Sequence, residues 1–197
     1  MLLKKLLFTA LILCLFFNHI SFAQQNNDPS LLTLERIYAS NEFRQERLNP
    51  IQWIENGNAY VTVDYSSDGN ELIRWESATQ EKSVFVPKDA LQANGKAIEI
   101  ESFSLSDDES KVLIFTNSSR VWRSNTKGDF WVYDLSTSKL SQLGKQFEPS
   151  SLLFAKFDPD NQFVAYVHDF NLYRENFSTG KIVQLTSDGT GKIINGT

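Results

Sequence analysis

From Ile51 onward, apolar and polar positions alternate in short runs, the period of two that marks half-buried strands. The strand candidates fall into three sets of four. The first is Ile51–Ile54, Ala59–Asp64, Leu72–Glu76 and Ser83–Val86. The second is Ile100–Leu105, Lys111–Thr116, Phe130–Leu135 and Leu140–Leu143. The third is Leu152–Phe157, Phe163–His168, Asn171–Arg174 and Ile182–Thr186. The sets repeat in register: Trp53–Val63, Leu105–Phe115 and Phe157–Val167 align without gaps at a spacing of 52 residues. Each copy has one large apolar residue, a turn of Asp, Asn, Ser, Pro or Gly, then a β-rich apolar run. That is a hairpin signature. A lone hairpin cannot bury its apolar face, so recurrence implies stacked units with shared cores.

Four short strands per unit of this length match a β-propeller blade. The expected fold is therefore all-β, a partial propeller of about three four-stranded blades. A second repeat, Ser136–Leu143 against Ser178–Leu185, is offset by 42 residues, with Ser77–Val84 a looser copy. The difference between the two spacings puts an insertion, Asn117 to Asp129, between the second and third strands of the middle unit. We expect a loop there, and loops on a rigid scaffold carry function. Propellers typically have 4–8 blades, and an open wedge exposes strand edges. The expectation is that residues 30–197 are the truncated N-terminal part of a longer propeller domain.

Ahead of the strands the period lengthens to 3.6. Leu31, Leu34 and Ile37/Tyr38 predict one short helix within Ser30–Phe43, with Ser30 or Thr33 as its cap. Residues 24–29 read as a polar, disordered linker. The first 23 residues read as a secretory signal peptide. Lys4 and Lys5 precede an apolar run from Leu6 to Phe17, and Ser21-Phe22-Ala23 places small residues before a cut between Ala23 and Gln24. The alternative, an uncleaved anchor, needs roughly 20 apolar residues, more than the run provides. A secreted or periplasmic location follows.

Composition narrows the rest. The single cysteine, Cys14, lies in the leader, so the mature chain would be exported without disulfides. Beyond the leader, 17 basic residues face 24 acidic ones, and no basic stripe is visible, which argues against nucleic-acid binding. No cofactor is implied, and no metal site is assigned. Asp107-Asp108-Glu109 and Asp158-Pro159-Asp160 sit where the repeat requires turns, which favour Asp for its backbone hydrogen bonds. His168, the one histidine past the leader, reads as a polar strand end, and no Gly-x-Ser-x-Gly elbow occurs. Asn117-Ser-Ser119, Asn176-Phe-Ser178 and Asn195-Gly-Thr197 fit the glycosylation pattern. The strongest candidate chemistry is Arg120-Val-Trp122-Arg123-Ser-Asn125 in the insertion. Arg123 could present a planar fork of donors to a carbonyl or carboxylate. Trp122 is a second candidate contact, weighed against a packing role.

These residues resemble the dipeptidyl peptidase IV subfamily of the prolyl oligopeptidase clan. Leu32–Tyr38 resembles the opening helix of that subfamily, and Ile51-Gln-Trp53 with the Tyr60 strand resembles its first blade. Val121-Trp-Arg-Ser-Asn-Thr-Lys-Gly-Asp-Phe-Trp-Val-Tyr-Asp-Leu135 is similar to its Trp-Arg segment and the aromatic strand that follows. Phe157–Tyr173, Leu185–Gly189 and Ile194–Thr197 also fit. The resemblance implies a secreted serine exopeptidase that removes dipeptides from peptide N-termini, often after Pro or Ala. It implies that Arg123 binds a substrate carbonyl while the propeller gates access. The partners implied are a peptide N-terminus, the missing C-terminal blades and an α/β-hydrolase domain, and homodimerisation of the complete protein stays open. The paired glutamates expected just after Thr197 and the catalytic serine, aspartate and histidine are not in this sequence. The chain alone should therefore be inactive, with no catalytic residue of its own. The competing expectation is a non-catalytic, TolB-like exported propeller that binds proteins at its exposed edges.

Overall fold

The computed structural model describes residues 28, 30–45, 48–121 and 123–196. The proposed leader, its cleavage junction at Ala23 and Gln24, and Trp122 lie outside the described residues. The chain divides into two units, up to residue 46 and from residue 47.

In the first unit the expected helix shrinks to a five-residue π-turn, Glu35–Ala39. Thr33 Oγ1 accepts from Arg36 N at 3.2 Å, the bond expected of a cap. The helix stops because Ser40 is extended (ψ 165°) and its hydroxyl donates back to the Arg36 carbonyl at 2.6 Å. Helical periodicity to Phe43 was not enough against that local competition.

The second unit contains the three expected sets. Blade 1 is β1 (Ile51–Ile54), β2 (Ala59–Ser66), β3 (Gly69–Glu76) and β4 (Lys82–Val86), antiparallel in chain order. A connector follows, with β5 (Gln92–Ala93) and β6 (Lys96–Ala97) closed by Asn94 and Gly95, both at positive φ. An Asn-Gly pair is the strongest short hairpin signal, yet flanking strands of two residues are too short for alternation to show. Blade 2 is β7 (Ser102–Leu105), β8 (Lys111–Val121), β9 (Ser124–Asp134) and β10 (Lys139–Gln142). Blade 3 is β11 (Leu152–Phe157), β12 (Phe163–His168), β13 (Asn171–Asn176) and β14 (Lys181–Gln184).

Strand alternation divides the core in two. On β8, Val112 and Ile114 join the cluster shared with Val61, Val63 and Leu72 of blade 1. Leu113, between them, points the other way, to Val164 and Tyr166 of blade 3. On β9, Tyr133 serves the first cluster while Phe130 and Val132 serve the second. Each fully buried Val or Ile of this kind contributes about 1.5–3 kcal/mol. A slip of one residue would exchange the two faces, so burial fixes the register.

The turns repeat as well. Gly57, Glu109 and Asn161, at equivalent repeat positions, all have positive φ: 89°, 55° and 54°. The side chains of the last two reach the preceding blade. Glu109 Oε1 accepts from Glu55 N at 2.9 Å, and Asn161 Oδ1 accepts from Asp107 N at 3.3 Å. Donor and acceptor both advance by one repeat between the two bonds, so this is a recurring blade-to-blade tie. Pro159 stands at the next donor position, and proline has no N–H to continue the series. The offset repeat is real too. Asp134 Oδ1 accepts from Ser136 N and Thr137 N, as Asn176 Oδ1 does from Ser178 N and Thr179 N.

The insertion 117–129 is not an irregular loop. β8 and β9 each continue through it to eleven residues and form a projecting hairpin. The root of this hairpin also joins the two sheets, because Leu152 and Leu153 of β11 pair with Gly128 and Lys127 of β9.

Candidate substrate-contact arm

The projecting hairpin begins beyond the Thr116–Asp129 pair and closes at Val121–Ser124. Register shifts on both sides of Ser119 bend it away from the blade. Asn117, at the first shift, has a φ of 47°. Gly128 permits the bend, since a Cβ there would lie 2.5 Å from the Phe115 ring and 2.7 Å from the Thr116 carbonyl oxygen. Arg123 occupies the exposed turn at the tip. Arg120 and Lys127 lie on the same arm, giving it three cationic residues on an acidic chain.

The root is held by two carboxylates. Asp129 Oδ2 accepts from Asn117 Nδ2 at 2.7 Å, and its Oδ1 accepts from Ser150 N at 2.6 Å. Glu101 Oε1 accepts from Ser118 N at 2.8 Å, and its Oε2 accepts from the Ser118 hydroxyl. Asn125 Nδ2 donates to Ser118 Oγ at 2.9 Å, crossing the hairpin. Beneath the arm lies a cavity of about 200 Å³ bordered by Ser102, Ser104, Asn125 and Thr126, with Phe115 and Phe154 among its apolar walls. Phe115 packs on Phe130, ring centres 4.8 Å apart, which stiffens this floor.

Sequence reasoning names Arg123 as a candidate but not the residues that brace its hairpin. Glu101 carries no motif and lies outside the insertion. Asn117 and Asp129 are visible in the sequence only as the insertion's two ends; in the hairpin Asp129 pairs with Thr116 and meets Asn117 through a side-chain bond.

The other candidates resolve into structural roles. The His168 ring stacks on Phe147 at 3.9 Å and 19°. Asp108 accepts from the Ser106 and Ser110 hydroxyls at 2.6 and 2.8 Å, and these bonds, Ser106 first, hold its carboxyl down to about 2. Asp158 Oδ1 accepts from Gln162 N and Phe163 N, both at 2.9 Å, as expected of a turn.

Comparison with known proteins gives a consistent result. Residues 106–197 match the family described as the dipeptidyl peptidase IV N-terminal region. Dipeptidyl aminopeptidase B of Saccharomyces cerevisiae is 28% identical over 176 residues, which is 86% of this chain and 21% of that protein. Dipeptidyl-aminopeptidase B of Aspergillus niger is 26% identical over 188 residues, covering 90% of this chain and 20% of that protein. The crystal structure of Porphyromonas gingivalis dipeptidyl peptidase 4 shares the fold. Its TM-score is 0.67 at 19% identity, over 81% of this chain and 22% of that one. The chain thus spans about a fifth of the length of these relatives. Family model, relatives and fold point the same way: the chain is similar to the N-terminal propeller portion of proteins of the dipeptidyl peptidase IV kind.

Proposed function

We propose that this region serves a secreted or periplasmic dipeptidyl peptidase as a gating wall, with Arg123 anchoring the substrate. The observation that carries the reading is the position of Arg123, at the tip of an eleven-residue strand pair that leaves the blade and is braced at its root. A guanidinium there can hold a peptide carbonyl through two parallel donors. Fixing that carbonyl sets the register of the scissile bond. The remaining blades and an α/β-hydrolase domain of the complete protein would supply the serine nucleophile and the acyl-enzyme step. The leader-like segment before Gln24 would direct export.

The test uses the product of the complete gene and a dipeptidyl p-nitroanilide ending in proline. The wild type should release p-nitroaniline, and residues 24–197 alone should not. Arg123→Ala should lower kcat/KM about 10–100-fold, mainly through KM, as expected for losing a charge-assisted bond. Arg123→Lys should recover only part, because an ammonium is not a planar fork. An unchanged KM in Arg123→Ala would remove the anchoring role. Absence of turnover by the wild type would remove the peptidase reading.

A further inference from the structure

We propose that Glu101 and Asp129 are positioning residues that clamp the root of the arm from its two sides and so set where Arg123 stands. The inference rests on the reading of Arg123 as a substrate contact.

Among the described residues, none from 117 to 127 is buried. Apolar packing therefore does not aim the arm, and beyond Lys127, where β11 pairs, it is a two-stranded ribbon, marginal by itself in water. The register shifts also take Asn117 and Ser118 out of the ladder. Ser118 N finds its acceptor in Glu101, and the Asn117 side-chain amide donates to Asp129. A carboxylate accepts on both oxygens and donates on neither, so each can tie two donors at one point. Glu101, just before β7, takes both the backbone N–H and the hydroxyl of Ser118. Asp129 joins Asn117 on the arm to Ser150 N, just before β11. The arm is therefore fastened to the stretch entering blade 2 on one side and to the stretch entering blade 3 on the other.

Leverage makes these contacts matter at the tip. Five residues of strand reach about 16 Å, so a tilt of roughly 5° at the root moves the tip by about 1.5 Å. A misplacement of about 1 Å can cost up to a hundredfold in rate.

The experiment uses the product of the complete gene, with hydrogen–deuterium exchange over residues 117–127 read beside steady-state kinetics. Asp129→Ala should speed exchange in the arm and raise KM about tenfold, with kcat changed less than about twofold. Glu101→Ala should act in the same way. The decisive variant is Asn117→Asp combined with Asp129→Asn. It exchanges amide and carboxylate, leaves Ser150 N an acceptor oxygen, and should restore both exchange and KM. Should Asp129→Ala fail to fold, Asn117→Ala cuts only the arm side of the same carboxylate and gives the same readouts.

Unchanged arm exchange in Asp129→Ala overturns the clamp. So does an exchanged pair as impaired as Asp129→Asn alone. Faster exchange with unchanged KM, where Arg123→Ala does raise KM, overturns the link to Arg123 while leaving the anchoring role intact. An Arg123→Ala enzyme with unchanged KM sinks the anchoring role first, and the purpose of the clamp with it.

Discussion

Among the described residues, Glu175 is the one charged side chain that is buried. It is buried on β13, where Oε2 accepts from Tyr166 Oη at 2.9 Å and from Gly144 N at 2.8 Å. It thereby fastens blade 3 to the segment leaving blade 2. Burial pushes its carboxyl above the usual glutamate range, while the Gly144 and Tyr166 bonds and the Lys145 charge pull it partly back. The same burial, with the neighbouring carboxylate, raises the Tyr166 phenol. A carboxyl raised in the folded state holds protons more tightly than the unfolded chain does. Its contribution is complete below the ordinary value of 4.5 and is lost as pH rises through the folded value. The melting temperature of the wild type should therefore carry a component that falls as pH climbs from that value toward neutrality. Glu175→Gln keeps an acceptor oxygen and should flatten that component, which thermal scans across the acid range will show. An unaltered profile would mean that Glu175 binds its proton equally well in the folded and unfolded chain.

At the scale of elements, the turns do more than reverse the chain. Glu109 is in the left-handed region, which costs an ordinary residue roughly 1–2 kcal/mol, and its side chain offsets this by accepting from Glu55 N. The two effects separate by substitution. Glu109→Ala keeps the strain and loses a bond of about 0.5–1.5 kcal/mol. Glu109→Gly loses the same bond but relieves the strain, so it should be the milder change by about 1 kcal/mol. In both variants the Glu55 amide should exchange with solvent faster than in the wild type. Equal stability of the two variants would contradict the strain, and an unmoved Glu55 amide would contradict the tie. The same logic holds for Asn161 and Asp107. Asparagine tolerates this conformation better than alanine does, so Asn161→Ala should add backbone strain to the loss of the bond.

For the whole molecule, the blades were legible because their physics is local and periodic. β1 was read with its observed bounds, and the alternation on β8 and β9 that named strands also divided the two cores. What escaped depended on the partner rather than on the chain itself. Asn117–Asp129 reads as a loop in the sequence because it is the surplus between two repeat spacings; pairing with the neighbouring strand and with β11 makes it β. The π-turn stopped short of Phe43 because of one serine hydroxyl, which no hydrophobic period reports. Arg123 is a candidate from its motif and from resemblance, whereas Glu101 and Asp129 meet the arm only in three dimensions, which no local spacing encodes.

The outer edge of β9 has two occupants, β10 along Trp131–Asp134 and β11 at Lys127–Gly128. Blade 1 has no such stitch to blade 2; the two meet through interdigitated side chains and the Glu109 tie. The domain therefore has a welded seam on one side and a zip on the other. Pulled, heated or nicked, the middle and last sheets should give way together, while the first can peel off as a separate cooperative unit. Native-state exchange in rising denaturant will show this as one opening free energy common to β8, β9, β12 and β13 and a lower one for β2 and β3. A single shared value across all three sheets would mean the seam makes no mechanical difference.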